Sequence, residues 1–262
     1  MILSRKFFIG TLAAVLFFLC SMPSLVSGDE LNAEELVKKI DDLLRGESSY
    51  MEMKMTVSNP DWARPRSFEM YAYESKVGEK AFIRITAPPR DRGCGFLKIG
   101  YNLWMFIPRT ERVMKIPPSM MHQSWMGSDF TNDDLVRESS IVNDYKHRII
   151  ESADHPEGGK VYNLELLPKP DAPVVWGKIL LWVWDKGFIP TREQFFDEEG
   201  RMINEMIFSE IKQMGGRRIP TLWEMRSMTK PGHKTILELT EAKFDMEIDP
   251  GIFTEKRLKK KN

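Results

Sequence analysis

Met51-Glu52-Met53-Lys54-Met55-Thr56-Val57 decides the fold. Apolar Met51, Met53, Met55 and Val57 alternate with polar Glu52, Lys54 and Thr56, a period of two that marks a half-buried β-strand. Immediately before it the period is different. Leu31, Leu36, Ile40, Leu43 and Leu44 form a helical stripe among acids and lysines over Asp29 to Leu44, ending at Gly46, which predicts one amphipathic helix at the start of the domain.

Downstream of Val57 the strand rhythm continues to the C-terminus. Strand-like runs span Phe68–Ser75, Lys80–Thr86, Gly95–Ile99, Asn102–Ile107, Arg112–Ile116, Lys146–Glu151 and Val161–Leu167, then Gly177–Asp185, Pro190–Asp197, Met202–Lys212, Thr221–Thr229 and Thr235–Phe244. Turn pairs such as Glu199-Gly200, Gly215-Gly216 and Pro231-Gly232 separate many of them. No long crossover helix intervenes, so hairpin neighbours pair antiparallel. The expectation is a mainly β (α+β) chain: an incomplete, open antiparallel barrel of about 11 strands, covered by the N-terminal helix and a lid.

The ends set the compartment. Arg5 and Lys6, the 14-residue apolar run Phe7 to Cys20 and the small residues Val26-Ser27-Gly28 have the layout of a cleaved secretory leader over residues 1–28, and the run is short for a membrane span. Cys20 follows Phe17-Phe18-Leu19, whereas a lipidated cysteine needs a small residue before it. Residues 29–262 then form a single domain, exported to the periplasm, with Cys94 as the one remaining cysteine and no intramolecular disulfide. Cleavage removes Arg5 and Lys6 and no acid, taking the net charge from 0 to −2, which leaves no global footprint for nucleic acid. The basic run Lys256 to Lys261 reads as a solvated tail or a peripheral membrane contact.

Motifs for chemistry are missing. His122, His147, His155 and His233 are dispersed with no zinc-type spacing, and the chain lacks a G-x-S-x-G elbow, a Walker loop and a G-x-G-x-x-G turn. Cys94 between glycines reads as a small buried residue, and Asp133-Asp134 as a helix start rather than an acid–base pair. No catalysis, cofactor or metal is expected.

One segment breaks the rhythm. Between Pro117 and Tyr145, overlapping the stretch Met114 to Leu135 with its four Met, one Trp and one Phe, the chain reads as an apolar flap, with Ser128 or Thr131 capping a short helix that carries Leu135 and Val136. A loop whose methionines merely cap the core is the alternative reading. Trp104 and Phe106, like Trp182 and Trp184, sit in strands that are apolar on both faces. Such strands need two covers, which a helix, a flap, a ligand or ordinary sandwich packing can supply.

Gly95-Phe96-Leu97-Lys98, Leu103 to Pro108, Met114-Lys115-Ile116-Pro117 and Trp125 to Leu135 resemble the exported outer-membrane lipoprotein-sorting (LolA-like) family, in its longer branch first labelled an uncharacterised domain. The likeness runs more loosely from Tyr50 to Phe253. It implies a concave apolar cavity that holds lipoprotein or lipid acyl chains in transit to the outer membrane, with a membrane transporter as a possible partner. Candidate cavity and lid residues are Trp104, Phe106, Met114, Met121, Trp125, Met126 and Phe130. The alternative is a non-catalytic envelope module that docks on such a transporter through the same apolar face.

Overall fold

In a computed structural model, residues 32–134 and 141–260 are described. The leader expected over 1–28, together with Leu31, Leu135, Val136 and Lys261, lies outside them. All the described residues fall within one compact unit, Leu31–Asn262.

Helix α1 (Ala33–Arg45) starts where Asn32 accepts a hydrogen bond from the Glu35 amide (2.8 Å) and stops at Gly46, whose φ of 62° lies in the left-handed region. It buries Ala33, Leu36, Val37 and Ile40. Thirteen strands follow: β1 (Ser48–Ser58), β2 (Arg66–Ser75), β3 (Lys80–Ala87), β4 (Gly95–Ile99), β5 (Asn102–Ile107), β6 (Arg112–Lys115), β7 (Tyr145–Asp154), β8 (Lys160–Pro168), β9 (Lys178–Trp184), β10 (Ile189–Phe196), β11 (Met202–Met214), β12 (Arg217–Ser227) and β13 (Lys234–Phe244). A five-residue helix α2 (Glu255–Lys259) follows β13.

The strands make one antiparallel sheet in the order β6-β5-β4-β3-β2-β1-β13-β12-β11-β10-β9-β8-β7. Thirteen strands stand in the sheet where about 11 are expected in the barrel, because every strand-like run read along the sequence, the short β4, β5 and β6 included, pairs into one sheet. β12 begins before its expected start, since Pro220 is accommodated inside the strand opposite Ile211. Every neighbour is sequential except β1 and β13, which join the two halves. The sheet does not close: β6 and β7 are its free edges. Residues 116–144 connect those two edges.

Inward-facing side chains form adjoining cores, joined at the middle of the sheet by a smaller cluster of Met51, Ile219, Leu237 and Leu239. Helix α1 covers the β7–β12 half with Leu36, Val37 and Ile40 against Leu164, Leu181, Phe195, Met206 and Phe208, each such side chain contributing about 1.5–3 kcal/mol on burial. The flap covers the other half, with Trp125 packed on Met55, Phe68, Met70, Ile85 and Phe96.

The outer face has its own cover. Phe82, Leu97 and Phe106 are buried beneath Phe253 and Leu258, and the buried Arg84 guanidinium donates to Arg257 O (3.0 Å) and Leu258 O (2.9 Å). The basic C-terminal run is therefore docked through α2, with Lys256, Lys259 and Lys260 exposed. The Arg192 guanidinium lies over Trp182, 4.9 Å from its ring centroid, and Trp184 stacks on His155 at 4.2 Å.

Candidate functional site: an apolar cavity beneath the flap

A cavity of about 100 Å³ lies between sheet and flap. Its floor is Met51 and Met53 of β1, Met70 and Ala72 of β2 and Ala81 and Ile83 of β3. Met206, Trp223 and Leu237 form the far wall, Leu44 and Arg45 close the α1 end, and Trp125, Phe130 and Asp134 form the roof. A smaller void of about 60 Å³ continues beneath α1 past Leu44, Met206 and Trp223.

The roof is a compact turn. The Trp125 amide donates to Phe130 O (2.8 Å) and the Ser128 amide to Trp125 O (2.9 Å), while Ser128 Oγ donates to Trp125 O (2.6 Å) and accepts from the Phe130 amide (3.2 Å). Met126 has φ 55° and Gly127 φ 78°, so a methionine occupies a left-handed position, where a side chain is strained. Trp125 meets Phe96 edge to face at 5.4 Å.

Two anchors hold this turn down. Asp129 donates its amide to Thr235 Oγ1 (2.9 Å), accepts from the Thr235 hydroxyl through Oδ2 (2.8 Å) and accepts from Asn204 Nδ2 through its carbonyl (3.0 Å). Burial pushes the Asp129 carboxyl above its ordinary value, opposed by the hydrogen bond from the Thr235 hydroxyl and by the neighbouring His233 and Lys230. The second anchor is a reciprocal pair: Thr131 donates its amide and hydroxyl to Asp134 Oδ2 (2.7 and 3.0 Å), and the Asp134 amide donates to Thr131 Oγ1 (3.2 Å). Trp176 Nε1 donates to Asp134 Oδ1 (3.1 Å), tying the pair to the opposite half. The Asp134 carboxylate is thus occupied by structural hydrogen bonds, and the helix expected to carry Leu135 and Val136 lies outside the described residues.

At the α1 end the lining turns polar. Arg45 Nε donates to Glu74 Oε2 (2.9 Å) and its guanidinium to Asp41 Oδ1 (3.0 Å), which also pairs with Lys76 (2.9 Å). Among the described residues, two buried atoms on the cavity lining have no hydrogen-bond partner: Ser49 Oγ and Trp125 Nε1. An apolar chamber with unpaired donors in its wall can solvate an alkyl chain and take one or two acceptor atoms.

The candidate residues divide. Trp125 and Phe130 line the cavity, and Met121 and Met126 pack beside them. Trp104 and Phe106 are corrected to the outer face, packed with Phe82, Leu97 and Leu258, because β5 turns Leu103 and Met105 inward. Met114 is corrected to the sheet edge: it ends the row Met51, Ala72, Ile83, Phe96, Met105, Met114 across six strands, but at 40% exposed it lies beyond the cavity. The floor methionines were missed as site residues, although their alternation in β1 was the available signal. Cys94 is half-buried and burial pushes its thiol upward, which suppresses the thiolate. Among the described residues, no group of three or more metal-ligating side chains is placed to hold an ion, and no helix is long and apolar enough to cross a membrane.

This is the LolA-like fold: an open antiparallel sheet whose concave face is covered by a helix and a flap. A DUF1329 family protein from Desulfovibrio piger superposes with a TM-score of 0.78 at 20% identity, over 86% of this chain and 97% of that one. A putative outer membrane lipoprotein-sorting protein domain from Vibrio parahaemolyticus gives 0.76 at 20% identity, over 87% and 98%. A LolA superfamily protein from Nitrosomonas europaea gives 0.73 at 23% identity, over 87% and 99%. The chain belongs to the family described as "Uncharacterized protein", whose model matches residues 78–260. No curated protein matches.

Proposed function

We propose that this protein is a periplasmic carrier that holds the acyl chains of a lipoprotein or lipid beneath its flap on the way to the outer membrane. The observation that carries the reading is the apolar cavity roofed by Trp125 and Phe130 and floored by methionines. An acyl chain exposed to water costs about 0.8 kcal/mol per CH₂, and methionine walls adapt to chains of different shape. Nothing in this task needs bond chemistry, so the protein acts without catalysis. Cargo would be received and delivered through transient contacts with membrane surfaces or a membrane transporter.

A second reading draws on the size of the chamber. About 100 Å³ is well below the roughly 300–1,000 Å³ of a ligand pocket, as expected of a non-catalytic module that docks on an envelope transporter and keeps its flap closed. Mass spectrometry of an organic extract of residues 29–262, purified from the exported fraction without detergent, separates the two. A near-stoichiometric acyl lipid or acylated peptide supports the carrier; an empty protein that also refuses added lipid supports the docking module.

A further inference from the structure

Beside the flap, the β1–β2 turn and the β3–β4 loop enclose an open groove of about 630 Å³, lined by residues 61–68 together with Pro88, Arg90 and Asp91. Three arginines, Arg64, Arg66 and Arg90, face two carboxylates, Asp61 and Asp91. Arg90 pairs with Asp91 at 3.6 Å; among the described residues, neither Arg64 nor Arg66 has an ion-pair partner. The Arg66 guanidinium lies over the Trp62 ring, 3.9 Å from its centroid, which holds a planar fork in place without using its N–H donors.

The groove leads toward the cavity. Trp62 and Met126 both pack against the core beneath the flap, and a Cβ built on Gly127 would lie 3.9 Å from the Trp62 ring. Along β2, the residues in register with the inward-facing Val57, Met55, Met53 and Met51 are Arg66, Phe68, Met70 and Ala72. Phe68 belongs to the groove, and Met70 and Ala72 to the cavity. One strand face thus runs from a cation to an apolar chamber over roughly 20 Å, at about 3.3 Å per residue.

We infer that the groove at Arg64 and Arg66 binds the phosphate of a lipid whose acyl chain enters the cavity. This rests on the carrier reading and narrows it: the acylated end of a lipoprotein carries no phosphate, whereas a phospholipid does, and arginine forks bind phosphate oxygens in pairs.

The test measures uptake of fluorescent phosphatidylglycerol and of diacylglycerol with the same chains by residues 29–262, for the wild type and for the double variant Arg64→Gln, Arg66→Gln. Both arginines are exposed, and unchanged diacylglycerol uptake shows that the variant is folded. The expected result is about a tenfold wild-type preference for phosphatidylglycerol, lost in the variant. Equal uptake of both lipids by the wild type, or a preference that survives in the variant, overturns the inference and leaves the carrier standing. Uptake of neither lipid overturns both. Arginine-dependent binding of inorganic phosphate alongside equal uptake of the two lipids assigns the groove to a free anion and overturns the lipid assignment.

Discussion

Asp129 brings three of the flap's hydrogen bonds to the sheet together in one residue, through its amide, its carbonyl and its carboxylate. Its raised carboxyl pKa means that the folded protein holds the proton more tightly than the unfolded chain. Stability therefore falls as pH rises from the ordinary carboxylate value through the raised folded value, and stays lower above it. Asp129→Asn keeps an oxygen to accept from Thr235 and has no charge to bury, so the variant's Tm is expected to lack that part of the decline; identical slopes in both proteins would remove Asp129 from the account. Trp125 makes the complementary case. Its buried, unpaired Nε1–H costs about 1–3 kcal/mol in the empty protein, which offsets much of the volume lost in Trp125→Phe. The variant is expected to fall within about 1 kcal/mol of the wild type, short of the 3–5 kcal/mol of a Trp-to-Ala truncation. Binding of an acyl ester should weaken while binding of an alkane of equal length does not. Equal losses for the two ligands would mean that the indole N–H meets no acceptor in the cargo.

The flap is an element whose apolar underside can be altered without touching a ladder hydrogen bond. Replacing both Met126 and Phe130 by Asp places two carboxylates where the flap meets buried Phe68, Met70 and Phe96, and desolvating them prevents closure. Cargo retention should be lost while the far-ultraviolet circular dichroism of the sheet persists; retained cargo would refute the lid. The same scale shows what the sequence could tell. Alternation at Met51, Met53, Met55 and Val57 identified a strand and placed its inner face, because charged neighbours marked the outer one. In β5 both faces are apolar, so parity was ambiguous, and Trp104 and Phe106 were placed on the wrong side. Contacts between distant segments carry no local signal. Asp129 meets Thr235 across 106 positions, and Arg84 holds α2 across 174, so the latch and the docked C-terminus became visible only in the fold.

At the scale of the whole molecule, topology explains why a lid exists. Because β6 and β7 are the two free edges of one open sheet and residues 116–144 connect them, the described part of this connection, with Trp125, Phe130 and Asp134, lies over the concavity; a closed barrel would have no free edges to connect. Its hydrogen bonds fall into two sets. Those inside the flap, Trp125 to Phe130 (2.8 Å) and Asn132 to Gln123 (2.9 Å), travel with it. Those to the rest of the fold, between Asp129 and Thr235, from Asn204 to Asp129 and from Trp176 to Asp134, must break if it lifts. A chamber of about 100 Å³ cannot hold an acyl lipid without lifting, since ligand pockets run to several hundred Å³. On the carrier reading, loading is therefore expected as a hinge motion of a preformed turn rather than an unfolding of it. Hydrogen exchange on the lipid-loaded protein should show the Asp129 amide losing protection while the Trp125 and Asn132 amides keep theirs. Loss of protection at all three would make opening a local unfolding. An Asp129 amide that stays protected at full loading would show that cargo enters without moving the flap.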